Sequence, residues 1–337
     1  MPAPVRRFSL LLLLIVMAVP GWAADTFRLT VLHTNDMHGM LVPHRYQAEG
    51  TPFAGKEEEL GGLARRATAI RKLRDQSENV IVVDTGDVFT RGPWHTRFYG
   101  EPEIEAMNLM GYDMLVVGNN ELKPIWGDVA SEEMMLSLMR RSRFPWLSAN
   151  LTLGDGPPPG CDELAFVEGI HPFIVRTFGE VRVGFLGLTC SLPPDYSRLK
   201  GWTMGDPTAA AKRWVPLARR YCDVLIAVMH IGSDTAGALA GEVDGIDAMV
   251  GGHAHEFLSP PLMVKGPSGP EVPMVEAGEA GVVVGLFELE FARESGRWRL
   301  TGATERLVPI DSSYRDDPAV KGLLDRYLTP SAVAAGP

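Results

Sequence analysis

The stretch Val80-Ile-Val-Val-Asp84-Thr-Gly-Asp87 constrains the fold of this chain more than any other. Consecutive apolar, mostly β-branched residues read as a strand buried on both faces, and the run stops abruptly at two carboxylates and a glycine. Open α/β sheets place their ligands just beyond the carboxyl ends of such strands. Asp87 is therefore the position on which a site is expected to converge. Alone, Asp-Thr-Gly has a simpler reading as a turn that ends a strand. Repetition decides between the two. Residues 27–32 run into His33-Thr-Asn-Asp36-Met-His38, residues 113–117 into Gly118-Asn119-Asn120-Glu121, residues 223–229 into His230, and residues 246–250 into Gly251-Gly-His253-Ala-His255. In each case an apolar strand ends in a residue type that can ligate a metal or hydrogen-bond at a site.

The intervening segments complete an α/β pattern. Helical periodicity and terminal signals predict helices over 61–76, 103–110, 131–141, 207–222 and 318–328, with Gly111 as a C-terminal glycine. A hairpin is expected over 173–188, turning at Phe178-Gly-Glu-Val. A strand is expected at 146–149, and residues 272–276, 282–291 and 298–304 read as strands of one meander. Residues 42–60, with Pro, Gly and Glu57-Glu58-Glu59, read as a solvated flap. The Gly- and Pro-rich stretch 152–160 reads as a surface excursion.

Residues 1–23 resemble an export leader rather than part of the fold. Arg6 and Arg7 precede an apolar run over 10–19 that is too short to span a bilayer, and Gly21-Trp-Ala23 offers a cleavage site. The predicted organisation is a leader over 1–23, one domain over 24–330 and a tail over 331–337, with the mature protein periplasmic or secreted and carrying no membrane anchor. The paired arginines admit the twin-arginine route as well as the general one. A net charge of −10, made more negative when the arginines leave with the leader, argues against nucleic-acid binding. The cysteines, Cys161, Cys190 and Cys222, allow at most one internal disulfide, and the last two are read as buried thiols.

The strand-end residues suit two metal ions, each held by four side chains if one carboxylate is shared. Asp87 is the natural bridge, because two ions ~3.5–4 Å apart need an anion between them. Mixed nitrogen and oxygen donors suit Zn, Mn or Fe. The ordered motifs Asp36-x-His38, Gly86-Asp87, Gly118-Asn119-x-Glu121, His230 and Gly252-His253-x-His255 resemble those of calcineurin-like metallophosphoesterases, in particular the catalytic domain of the periplasmic 5′-nucleotidase and UDP-sugar hydrolase group. Leu32-His-Thr-Asn-Asp-Met-His-Gly39, Gly61-Gly-Leu-Ala-Arg65, Gly100-Glu-Pro-Glu-Ile-Glu-Ala-Met-Asn108 and Leu147-Ser-Ala-Asn150 extend the likeness over residues 27–328. The resemblance implies a four-layer α/β/β/α sandwich. It assigns one ion to Asp36, His38, Asp87 and His255, and the other to Asp87, Asn119, His230 and His253.

The chain departs from that family in two respects. The family places a histidine after the ligating asparagine and an aspartate three residues later to orient it, the histidine assisting the transition state or leaving group. Here the positions are Asn120 and Lys123. Asn120 is expected to donate an amide hydrogen bond to a phosphoryl oxygen, with Arg91, His95 or Lys123 supplying charge or substrate contact. The family's base-stacking C-terminal domain is also not recognisable, so a partner protein completing the cleft is an expectation. The leading functional reading is an exported dinuclear hydrolase of phosphoesters, nucleotide-like or otherwise, using a metal-bridging water. The alternatives are a catalytically impaired metal-binding assembly subunit and a related hydrolase of sulfur esters.

Overall fold

A computed structural model of the protein describes residues 25–89, 94–122, 131–153, 169–192, 202–267 and 269–329. Two mixed sheets carry the fold. The first has seven strands in the order Arg297–Pro309, Val283–Glu294, Thr26–Thr34, Val80–Asp84, Met114–Val116, Trp146–Leu147 and Ile170–His171. The second has six, in the order Leu262–Lys265, Glu271–Val275, Ala248–Val250, Val224–His230, Val181–Thr189 and Phe173–Phe178. The first sheet is parallel from Thr26–Thr34 to its Ile170–His171 edge and antiparallel on the other side, whereas the second is parallel at its centre and antiparallel at both edges.

Side-chain alternation along the strands explains the layering. Leu29 and Val31, Ile81 and Val83, and Val224, Ile226 and Val228 all point into one buried cluster between the sheets. Their neighbours Leu32 and Val82 point the other way, onto Leu63–Asp75, Glu101–Met110, Ser131–Arg141 and Pro318–Leu328. Leu225, Ala227 and Met229 likewise face Pro207–Ala218 and Ser233–Glu242. Strands apolar on both faces therefore produce helix, sheet, sheet and helix in succession, the expected α/β/β/α sandwich. Local chemistry sets the helix ends. Asp206 and Asp317, each followed by proline, accept hydrogen bonds from Ala209 N at 2.7 Å and from Ala319 N at 2.9 Å. Gly111, at φ 72°, ends Glu101–Met110.

Three expectations need correction. The meander is not one unit: Glu271–Val275 runs parallel to Ala248–Val250 in the second sheet, whereas Val283–Glu294 and Arg297–Pro309 form a hairpin on the edge of the first. The flap is not simply solvated. His44–Arg45 pairs with Glu59–Leu60, and Tyr46, Phe53 and Leu60 are buried in a small cluster with Ala277 and Val282. Finally, Cys222 is buried as expected, but Cys190 is only half-buried. The helix Ser233–Glu242 is additional to the expected set, since its alanine- and glycine-rich face carries little helical periodicity. Of the surface excursion expected over 152–160, residues 152 and 153 end the strand Leu151–Leu153, which pairs with Trp202–Met204, while residues 154–160 and Cys161 lie outside the described residues. Among the described residues no helix is long and apolar enough to cross a membrane.

Candidate metal centre

The carboxyl ends of parallel strands from both sheets meet at one edge of the sandwich. Asp36 and His38 follow Thr26–Thr34, Asp87 follows Val80–Asp84, and Asn119 follows Met114–Val116, all in the first sheet. His230 ends Val224–His230, and His253 and His255 follow Ala248–Val250, in the second. Thus the seven candidate ligands arise from five strands, and the site lies between the sheets.

Their atoms fall into two adjoining groups. In one, His255 Nε2 is 3.2 Å and His38 Nε2 is 3.7 Å from Asp36 Oδ1, and the two imidazole nitrogens are 3.3 Å apart. In the other, Asn119 Oδ1 lies 3.1 Å from His230 Nε2 and 2.9 Å from His253 Nδ1, while Asp87 Oδ1 is 3.4 Å from His230 Nε2. Donor atoms of Asp36, Asp87 and His230 lie within 4.8 Å of one another, which joins the groups. Among the described residues, Asp36 Oδ1 is buried without a hydrogen-bond partner. Converging imidazole and carboxylate lone pairs around a buried, unsatisfied oxygen are what a bound cation requires, so these residues fit divalent ions.

The backbone pays for this convergence in local strain. Asp36 (φ 48°), His38 (φ 50°), Asp87 (φ 57°), His253 (φ 84°) and His255 (φ 60°) all occupy the left-handed region without being glycine. Such conformations cost on the order of 1–3 kcal/mol each and persist where surrounding structure enforces them, typically at functional sites. Gly86, at φ 100°, permits a close approach: a Cβ there would lie 2.6 Å from Gly118 N, so any side chain would push the Asp87 and Asn119 loops apart.

A model of the calcineurin-like phosphoesterase family matches residues 29–257, well over half of the chain and every ligand above. The chain belongs to the calcineurin-like phosphoesterases. Among its relatives are the 5′-nucleotidase of Rattus norvegicus, 28% identical over 97% of this chain and 57% of that one, and the snake venom 5′-nucleotidase of Gloydius brevicauda, 31% identical over 90% and 52%. The chain thus spans about half the length of the curated relatives it matches. The structure of a 5′-nucleotidase precursor from Thermus thermophilus superposes with a TM-score of 0.76 at 27% identity, covering 91% of this chain and 59% of that one.

Within this calcineurin-like phosphoesterase, charge accounts for the titration of the site. Burial opposes ionisation of Asp87 and of Asp36, but His230, joined by His255 at Asp36 and by the Asn120 N–H and His38 at Asp87, outweighs it and holds both carboxylates below their usual range. His230 is in turn disfavoured as a cation by burial, yet Asp87 and Asp36 raise it to about 10. His255 is raised to about 10 against burial by Asp36 and Glu279, whereas burial and the neighbouring His230 lower His253. The buried carboxylates thus attract positive charge, and metal ions compete with imidazole protons for that role.

Four partners of the ligands are not singled out by the sequence. Glu121 accepts hydrogen bonds from the backbone N–H groups of Asp87 (2.9 Å), Val88 (2.9 Å) and Gly118 (2.7 Å), locking two ligand loops together. Asn35 donates to Asp36 Oδ2 (2.9 Å) and accepts from Ala277 N (2.9 Å). Thr85 O accepts from His230 Nδ1 at 2.9 Å, leaving Nε2 as the ligating nitrogen. Glu279 Oε2 lies 2.9 Å from His255 Nδ1. Only Glu121 gives a signal, as the last residue of its motif.

The expected catalytic residues fare differently. Asn120 is buried; its backbone N–H donates to Asp87 Oδ1 at 2.7 Å, and its side-chain amide donates to Asp87 Oδ2. One amide N–H thus holds a metal-site carboxylate. His95 begins the helix His95–Phe98, but its side chain, together with Arg91 and Lys123, lies outside the described residues.

Proposed function

We propose that this protein is an exported dinuclear-metal hydrolase of phosphoesters. The observation that carries the reading is the joined pair of donor groups around Asp36 and Asp87, buried between two sheets and enforced by left-handed backbone. Two divalent ions there would polarise a phosphoryl oxygen and activate a water for attack. The protein's own part is to fix the donors. Asp36, His38 and His255 would hold one position and Asn119, His230 and His253 the other, with Asp87 as the proposed bridge beside Asp36.

The charge balance suits phosphate monoesters, diesters or anhydrides. His253 keeps part of its surface open to solvent, so the site opens on the side where the substrate must arrive. Because the Asn120 amide donates to Asp87, this side chain acts mainly on the metal-site carboxylate. A positioned acid contributes ~10²–10⁴-fold to proton transfer, so substrates whose leaving groups depart unprotonated should be favoured. The 5′-nucleotidase names of the relatives make nucleotides the first substrates to test.

The deciding experiment is phosphate release by the chain from residue 24, loaded with Mn or Zn. Mononucleotides, nucleotide sugars, cyclic nucleotides and an activated diester are compared, beside an Asp87→Asn control. Turnover lost in the control supports a working hydrolase. Two bound ions with no turnover on the panel would favour a metal-binding assembly subunit.

A further inference from the structure

His255 is gripped from both sides. Its Nε2 faces Asp36 Oδ1 at 3.2 Å, while its Nδ1 lies 2.9 Å from Glu279 Oε2. The other Glu279 oxygen accepts from Tyr46 O–H at 3.2 Å, so the carboxylate is itself held at two points. Tyr46 is fixed by its ring, which meets Phe53 at 6.3 Å and Phe257 at 6.1 Å between centroids. The Glu279 backbone is fixed as well: Ala280 N–H donates to Asp36 O at 2.7 Å, and Gly278 N–H to Glu256 O at 2.8 Å. The loop bearing Glu279 is therefore tied to both ligand loops of this position.

We infer that Tyr46 and Glu279 are positioning residues that make the Asp36, His38 and His255 position the tighter of the two metal positions; the inference rests on the metal-site reading above. Accepting from Nδ1–H fixes the His255 tautomer that leaves Nε2 to ligate, and an anionic acceptor makes that nitrogen more basic. The other position lacks an equivalent on His230, whose Nδ1 donates to Thr85 O, a neutral backbone oxygen. Tyr46 prevents Glu279 from swinging out to water, which links the flap over 42–60 to metal retention.

The test is zinc affinity measured by chelator competition on the full chain. Variants are compared in the wild-type background and with His253→Ala, which isolates the Asp36, His38 and His255 position. Glu279→Ala is expected to weaken zinc there by about 10–100-fold while leaving the other position unchanged. Glu279→Gln, which keeps a hydrogen-bond acceptor without charge, should recover part of the loss, and Tyr46→Phe should lose several-fold. Metal-free melting temperatures guard against misfolding; if Glu279→Ala does not fold, the Gln and Phe variants carry the test. Unchanged zinc affinity in these variants, or equal loss at both positions, overturns the inference. A wild-type chain that binds no zinc would instead overturn the metal-site reading itself.

Discussion

Asp87 and Asn120 touch each other but should respond very differently to truncation. Asp87 supplies a charged donor beside Asp36 and His230, with its donor atom within 4.8 Å of theirs. Asn120→Ala removes the amide donated to Asp87 Oδ2, yet the Asn120 backbone N–H still holds Asp87 Oδ1. Asp87→Ala is therefore expected to cost bound metal by well over about 100-fold, and Asn120→Ala by no more than about 10-fold, the lower end of the outer-partner range. Equal losses in equilibrium dialysis would undercut the central place given to Asp87. At this scale the ligands are legible because each closes an apolar run, a pattern that survives in one dimension. Glu279 is not legible. It follows a strand by several residues and meets His255 only through the turn at Gly278, Ala280 and Gly281, whose φ values are 66°, 56° and 62°.

Elements fix how these residues are presented, and two carboxylates show the forces involved. Glu121 serves three buried backbone N–H groups, so Glu121→Ala leaves all of them unsatisfied. At ~1–3 kcal/mol for each lost partner, the variant should unfold more than ~3 kcal/mol more easily in urea and lose metal at both positions. A near-neutral result would show that the two loops hold without the clamp. Glu103, in the first turn of Glu101–Met110, is buried with neither oxygen hydrogen-bonded among the described residues. Burial pushes it up to about 7 from the usual 4.5. Between these values the folded chain keeps a proton that the unfolded chain has released. Its stabilising contribution is therefore complete below about pH 4.5 and is lost as the pH rises through about 7. The shift corresponds to ~3 kcal/mol. Asp84, also raised to about 7 by burial, adds the same sign. Glu103→Gln should reduce the decline in unfolding free energy between pH 5 and 8, and an unchanged decline would place its origin elsewhere. Most helices and strands are legible from periodicity and caps. Ser233–Glu242 is not, because alanine and glycine encode too little amphipathic contrast.

At the scale of the whole molecule, the sequence order of the strands conceals how they divide between sheets. Both sheets contain parallel, doubly buried strands of the same apolar, β-branched character, so nothing local tells Val80–Asp84 in one from Val224–His230 in the other. The division matters because the candidate ligands come from both: Asp36, His38, Asp87 and Asn119 from the first, and His230, His253 and His255 from the second. A bound ion is then a cross-link at the edge where the sheets meet, added to the apolar cluster that holds them elsewhere. Ligands that bind only the folded state stabilise it by ~2.7 kcal/mol at 100 times their dissociation constant. One kcal/mol moves the melting temperature by ~2–4 °C in domains somewhat smaller than this one. Removing metal with a chelator should thus lower the melting temperature by about 5 °C or more, with recovery when Zn or Mn is restored. Asp87→Ala should abolish the metal-dependent part of the shift. If the chelated protein melts as the loaded one does, ions are not joining the sheets, and the shared site must be weaker than its buried carboxylates and left-handed loops imply.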